Sequence, residues 1–213
     1  GLSFDGDADR VVISDEKGKI LDGDSILATI SIFLQEKKLL PNNSVVSTQM
    51  SNLAFRDFLL KSGIKLFLSK VGDRYVVKEM KKKKSFIGGE QSGHIIFSDN
   101  GYSGDGILTA LFVLDIALNK KCKVSDLATG FFKKIPQKLV NLKLKKKSNK
   151  ILKNKQFLNL KKKFLKLNND CDILIRKSGT ENLLRVMVQC HRKKTMELII
   201  NSLVKQIKTI DNN

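Results

Sequence analysis

From residue 44 onward, short aliphatic and β-branched runs alternate with amphipathic stretches of helical period, a pattern that few folds accommodate. Ser44–Thr48 reads as a buried strand, Asn52–Lys61 as an amphipathic helix closed by Gly63, and Ile64–Ser69 as a second strand. Asp73–Lys83 predicts a helix with an acidic start, Ser85–Ile87 a third strand, His94–Phe97 a fourth and Gly104–Leu118 another helix. Upstream, Ile26, Ile30, Phe33 and Leu34 fall at helical spacing within Ser25–Lys38, and Pro41-Asn42-Asn43 breaks the chain. Parallel strands need a crossover long enough to hold a helix. This order therefore predicts an α/β domain, a mixed and mainly parallel sheet with helices on both faces.

The pattern changes near Val124–Lys134, and Pro136 marks a linker. Beyond it the sequence predicts a strand from Leu139 to Leu144, a helix across 150–164, strands at Asp172–Ile175 and Leu183–Cys190, and a last helix over Lys194–Lys208. Those elements make a smaller α+β C-terminal domain. No internal repeat is visible.

The chemistry is densest at the start. Phe4-Asp5-Gly6-Asp7-Ala8-Asp9-Arg10 precedes a strand at Val11–Ser14, a turn at Glu16–Lys19 and a returning edge at Ile20–Leu21. Read as extended backbone, Asp5, Asp7 and Asp9 project to one side. Three carboxylates at close range repel unless a cation sits among them, and hard oxygen donors suit Mg²⁺. Arg10 adds a guanidinium able to grip a phosphate oxygen. A calcium loop starting at Asp5 would have Glu16 in twelfth place, but Arg10 stands where its turn needs Gly. A solvated acidic turn fits the same letters, and so does the Asp-x-Asp of phosphatases that use an aspartate nucleophile.

Two later loops carry polar side chains between strands. Gly88-Gly89-Glu90-Gln91-Ser92-Gly93-His94 offers a carboxylate, an amide, a hydroxyl and an imidazole, a set able to bond neighbouring sugar hydroxyls. It also suits a glycine-rich turn facing water. Arg176-Lys177-Ser178-Gly179-Thr180-Glu181 could turn N–H groups and hydroxyls toward one phosphate, although its spacing is not a P-loop. A polar hairpin tip is the plainer alternative. Together the three segments supply a metal, hydroxyl readers and a phosphate clamp, more than a simple phosphatase needs.

Composition bounds the partners. Lys+Arg number 40 against 21 Asp+Glu, a formal net charge of +19. Lysine dominates and is scattered among Asn and Ile, whereas nucleic-acid readers favour Arg and interleaved aromatics, so nucleic acid is an unlikely partner. The same field attracts phosphorylated sugars. No apolar run approaches the ~18 residues that span a bilayer, so no membrane partner is expected. Cys122, Cys171 and Cys190 share no metal-site spacing and predict buried free thiols in a reducing cytoplasm.

In order, FDGDADR, GGEQSGH and RKSGTE resemble the α-D-phosphohexomutases across essentially the whole chain. Ser47–Asn52, Val71–Val76 and Gln91 are most similar to the branch that isomerises glucosamine phosphates. The resemblance implies four domains and a phosphoserine in the first. On it, residues 1–22 are the tail of the second domain with the metal loop, 23–130 the third with the sugar loop, and 131–213 the fourth with the phosphate loop. The chain begins without Met and is expected to be the later part of a longer protein, lacking the nucleophilic serine and the N-terminal domains. The implied roles are Mg²⁺ ligation by Asp5, Asp7 and Asp9, contact of Arg10 with the transferring phosphate, sugar binding by Glu90 and Ser92, and phosphate binding by Arg176, Ser178, Gly179 and Thr180. The resemblance further implies a phosphorylated amino sugar as substrate and is compatible with a homodimer. The family's phosphate loop usually has proline where this chain has Lys177 and Asn182, which loosens the loop but keeps its anion donors.

Overall fold

A three-stranded antiparallel ribbon opens the chain: β1 (Leu2–Phe4), β2 (Val11–Ser14) and β3 (Ile20–Leu21), hydrogen-bonded in that order. Val11 and Ile13 of β2 point inward and are buried, while Val12 between them is exposed. The computed structural model describes the chain except at positions 130, 146–147, 179–180, 182 and 213. It divides into two compact units, Gly1–Lys134 and Ile135–Asn213.

In the first unit the ribbon is followed by α1 (Gly23–Glu36), β4 (Ser44–Thr48), α2 (Leu53–Lys61), β5 (Lys65–Ser69), α3 (Asp73–Lys83), β6 (Ile87–Gly89), β7 (Ile95–Phe97), α4 (Gly106–Lys120) and α5 (Val124–Thr129). The main sheet runs β5-β4-β6-β7. Its first three strands are parallel, and β7 returns antiparallel to β6. Every residue of β4 is buried, as a central strand covered on both faces requires. Val45 faces a core built with Ile26, Phe55, Leu59 and Val113, while its neighbour Val46 packs with Val76 and Met80 of α3. Helices thus lie on both faces, as the alternation predicted. Helix starts are capped by side chains: Asp22 accepts from the Ser25 N–H, Asn52 from that of Ala54 and Asp105 from that of Leu108.

The second unit holds β8 (Gln137–Lys143), α6 (Ser148–Leu152), α7 (Lys155–Leu167), β9 (Cys171–Lys177), β10 (Leu183–Cys190) and α8 (Lys193–Asn212). Its sheet is antiparallel with order β8-β10-β9. Leu184, Val186 and Val188 on one face of β10 share a core with Ile199, Leu203 and Ile207 of α8 and Phe157 of α7.

Several sequence expectations are corrected. The helix expected over 150–164 is two helices, because Asn154 stops the first and caps the second through the Phe157 N–H. The third strand lies at Ile87–Gly89 rather than Ser85–Ile87, because the Ser85 N–H is taken by the Met80 carbonyl at the end of α3. Cys171 and Cys190 are not free thiols: the β9–β10 register sets them directly opposite each other and they form a disulfide. Cys122 is a free, half-buried thiol.

Candidate functional site

Asp5 to Arg10 is a turn and not the extended segment the alternation suggested. The Ala8 N–H donates to the Asp5 carbonyl at 3.1 Å, and Ala8 adopts φ +58°. The difference matters physically. On a strand, Asp5 and Asp9 would stand ~13 Å apart, too far to share an ion. Folded as a turn, Asp5, Asp7 and Asp9 each present a carboxylate oxygen within 4.8 Å of the others. Arg10 leans over them, its Nε 3.5 Å from both Asp5 Oδ2 and Asp9 Oδ1, while its N–H donates to Asp5 Oδ1 at 3.1 Å.

Asp9 is the most constrained of the three. Its Oδ1 is buried without a hydrogen-bond partner. Burial, reinforced by the charges of Asp7 and Asp5, holds its carboxyl above the ordinary aspartate range, against the pulls of His94 and Arg10. Three convergent hard oxygen donors, one of them buried without a hydrogen-bond partner, fit a small divalent cation.

The hairpin loop joining β6 to β7 lies beside this turn. The Val11 N–H donates to Gly93 O at 3.2 Å. Gly93 sits at φ +93°, and a Cβ there would overlap the Val11 carbonyl oxygen, so only glycine lets the two backbones meet. Next to it, His94 Nε2 lies 3.2 Å from Asp9 Oδ2, with the imidazole nearly buried. Glu90 Oε1 accepts from the Gly72 N–H at 2.9 Å, which ties the loop to the turn before α3. Ser92 is exposed at the tip. Within the first unit, Glu90 and Ser92 therefore share a small region with Asp5, Asp7, Asp9 and Arg10.

In the second unit, Arg176 stands half-buried next to the end of β9, and Ser178 begins the β9–β10 loop buried. The Ser178 N–H donates to Leu183 O at 2.9 Å, and its Oγ accepts from the Glu181 N–H at 3.4 Å. Gly179 and Thr180 lie outside the described residues.

Two residues escaped the sequence reading, and a third took a different place from the one it suggested. His94, read there only as one polar group of the loop, lies against a candidate metal ligand. Arg185 stands directly opposite Arg176 in the β9–β10 register, with its Nε buried and without a hydrogen-bond partner. Asp24 lies fully buried beneath the loop of Glu90. A sequence signal existed only for His94, through its place in the loop; the other two depend on register and on contacts between segments distant in the chain.

A family model described as "Phosphoglucomutase/phosphomannomutase, alpha/beta/alpha domain III" matches residues 22–135, and one for the "Phosphoglucomutase/phosphomannomutase, C-terminal domain" matches 121–206. Among curated relatives, a phosphoglucosamine mutase of Finegoldia magna is 41% identical over 199 residues, covering 92% of this chain and 44% of the relative. One from Caldanaerobacter subterraneus subsp. tengcongensis is 47% identical over 194 residues, covering 89% and 42%. The chain spans about half the length of the curated relatives it matches. Among solved structures, Aspergillus fumigatus N-acetylphosphoglucosamine mutase in complex with GlcNAc-6P and magnesium superposes with TM-score 0.82 at 18% identity, covering 99% of this chain and 48% of that one.

Proposed function

The chain belongs to the phosphoglucomutase/phosphomannomutase family of α-D-phosphohexomutases, and from that premise we propose that it is part of a phosphoglucosamine mutase. The reaction interconverts glucosamine 6-phosphate and glucosamine 1-phosphate through a phosphoserine and a bisphosphorylated sugar. The observation that carries this reading is the convergence of three carboxylates beside a hydroxyl-bearing loop, in a chain more than 40% identical to enzymes of that name.

In this reading residues 1–22 belong to the second domain of the full enzyme, 23–130 to the third and 131–213 to the fourth. Asp5, Asp7 and Asp9 would hold Mg²⁺, which would supply neutralisation of negative charge during phosphoryl transfer. Arg10 faces that phosphoryl group with a permanent positive charge. Glu90 and Ser92 orient the sugar by bonding its hydroxyls. Arg176, Ser178, Gly179 and Thr180 hold the distal phosphate, so that either end of the bisphosphate can be presented after the sugar turns around. No residue of 1–213 takes the nucleophile's part, and the phosphoserine comes from the rest of the enzyme. The reaction takes place in the cytoplasm.

The test is a mutase assay on the intact protein that carries this chain. It is expected to form glucosamine 1-phosphate from glucosamine 6-phosphate with Mg²⁺, faster than it isomerises mannose phosphates, while residues 1–213 alone are silent. Asp7→Asn is expected to weaken Mg²⁺ binding by more than about tenfold and to remove most turnover. A preference for mannose phosphates would reassign the chain to the sister activity. Turnover by 1–213 alone, or none by the intact protein, would overturn the reading.

A further inference from the structure

Beneath the β6–β7 loop lies a carboxylate that the proposed reaction does not itself require. Asp24, in the first turn of α1, has no exposed surface. Its Oδ2 accepts from two donors remote in sequence: the Asn52 N–H at 2.8 Å, from the turn after β4, and Gln91 Nε2 at 3.1 Å, from the loop itself. The surrounding backbone acts in the same direction. The Gly23 N–H donates to Gln91 O at 3.0 Å, and a Cβ at Gly23 would overlap Glu90 O, so α1 starts hard against the loop. Ser47 Oγ donates to Gly89 O at 3.0 Å and shares a 2.6 Å hydrogen bond with Ser51 Oγ, both serines wholly buried.

We propose that Asp24 is a positioning residue: by holding Gln91 from below, it sets the loop at the height and angle that let Glu90 and Ser92 meet the hydroxyls of a phosphorylated amino sugar. The role rests on the function proposed above and specifies how that site is built. A carboxylate is the stronger acceptor here, because charge-assisted bonds from two N–H groups hold more firmly than neutral ones, and the first turn of a helix favours negative charge. The arrangement is also costly. Asp24 Oδ1 is buried without a hydrogen-bond partner, and burial, with Asp22 adding the same sign, pushes the carboxyl up to about 6 against the opposing pulls of the Asn52 N–H, Ser51 and Lys134. A simple structural tie between α1 and β6 could be made from neutral groups. A buried acid placed where two loops are held in register is the pattern of support beneath a binding site.

The experiment compares Asp24→Ala, Asp24→Asn and Gln91→Ala in the intact protein, by amide hydrogen exchange without ligand and by glucosamine 6-phosphate titration with Mg²⁺ present. Asp24→Ala is expected to speed exchange at Glu90, Gln91 and Ser92 by about tenfold while Val45 and Val46 in β4 stay protected, and to weaken glucosamine 6-phosphate binding by about tenfold with Mg²⁺ affinity unchanged. Asp24→Asn, which keeps an acceptor oxygen, restores most of both. Gln91→Ala cuts the same link from the loop side without touching the buried acid, so it reports even if Asp24→Ala does not fold. Equal loss of protection in loop and core, or wild-type sugar affinity in both Asp24→Ala and Gln91→Ala, would overturn the positioning role while leaving the function standing. Failure of the wild-type protein to bind glucosamine 6-phosphate would remove the function and the role together.

Discussion

Asp24 shows how a single buried side chain makes stability depend on pH. Its pKa moves from an ordinary 3.8 to about 6 in the fold, with burial the main cause. The folded state therefore binds the proton more tightly than the unfolded chain does. The stability this contributes is fully present below pH 3.8 and is lost as the pH rises through 6. The separation corresponds to about 3 kcal/mol. Asp24→Asn has no such titration, so its stability relative to the wild type is expected to rise by about 3 kcal/mol between pH 3.5 and 7.5 in urea unfolding. A difference that stays constant across that window would show that the carboxyl titrates normally. The sequence showed Asp24 only as an acid ahead of an apolar helix; its burial arises because Asn52 and Gln91 close over it from 28 and 67 residues away.

At the scale of elements, legibility followed pattern strength. β4, α3 and β10 have the bounds that their apolar spacing and acidic or glycine punctuation predicted. The Asp5–Arg10 segment did not, because alternation describes a strand only when neighbouring strands pair with it, and this segment turns back on itself through the Ala8 N–H. The glycine-rich letters of the β6–β7 loop did not show that one of them lets a second backbone segment come close. Gly93 meets Val11, and this contact joins the candidate metal turn to the candidate sugar loop. Gly93→Ala is therefore expected to destabilise the first unit by about 2–4 kcal/mol, from strain at positive φ and overlap with the Val11 carbonyl. It should also lower phosphosugar affinity in calorimetric titration. A variant of wild-type stability would show that the two loops are not held by that contact.

At the scale of the whole molecule, each unit has a main hydrophobic core of its own. Leu59 belongs to the first and Phe157 to the second, and both are essentially inaccessible to solvent. Leu59→Ala is expected to cost about 2–5 kcal/mol and Phe157→Ala about 3–5 kcal/mol. Hydrogen exchange should confine each loss to its own unit, with the double variant additive. Protection lost throughout the chain in either single variant would mean that the two cores unfold as one. Among the described residues, no helix is long and apolar enough to cross a membrane. The sequence alone determined the classes of structure in each half, most of the order of the elements, the family resemblance and the kinds of side chain in the three loops, because periodicity and residue chemistry are local properties; the strand Leu2–Phe4 and the helix Val124–Thr129 were not read from it. Only the tertiary structure decided that the three aspartates converge through a turn, that His94 bonds Asp9, that Asp24 lies beneath Gln91, and that Cys171 meets Cys190. The aspartate turn is closed within its own segment by the Ala8 N–H, whereas the other three depend on where distant segments come to lie, which is set by the packing of the core rather than by any one stretch of the chain.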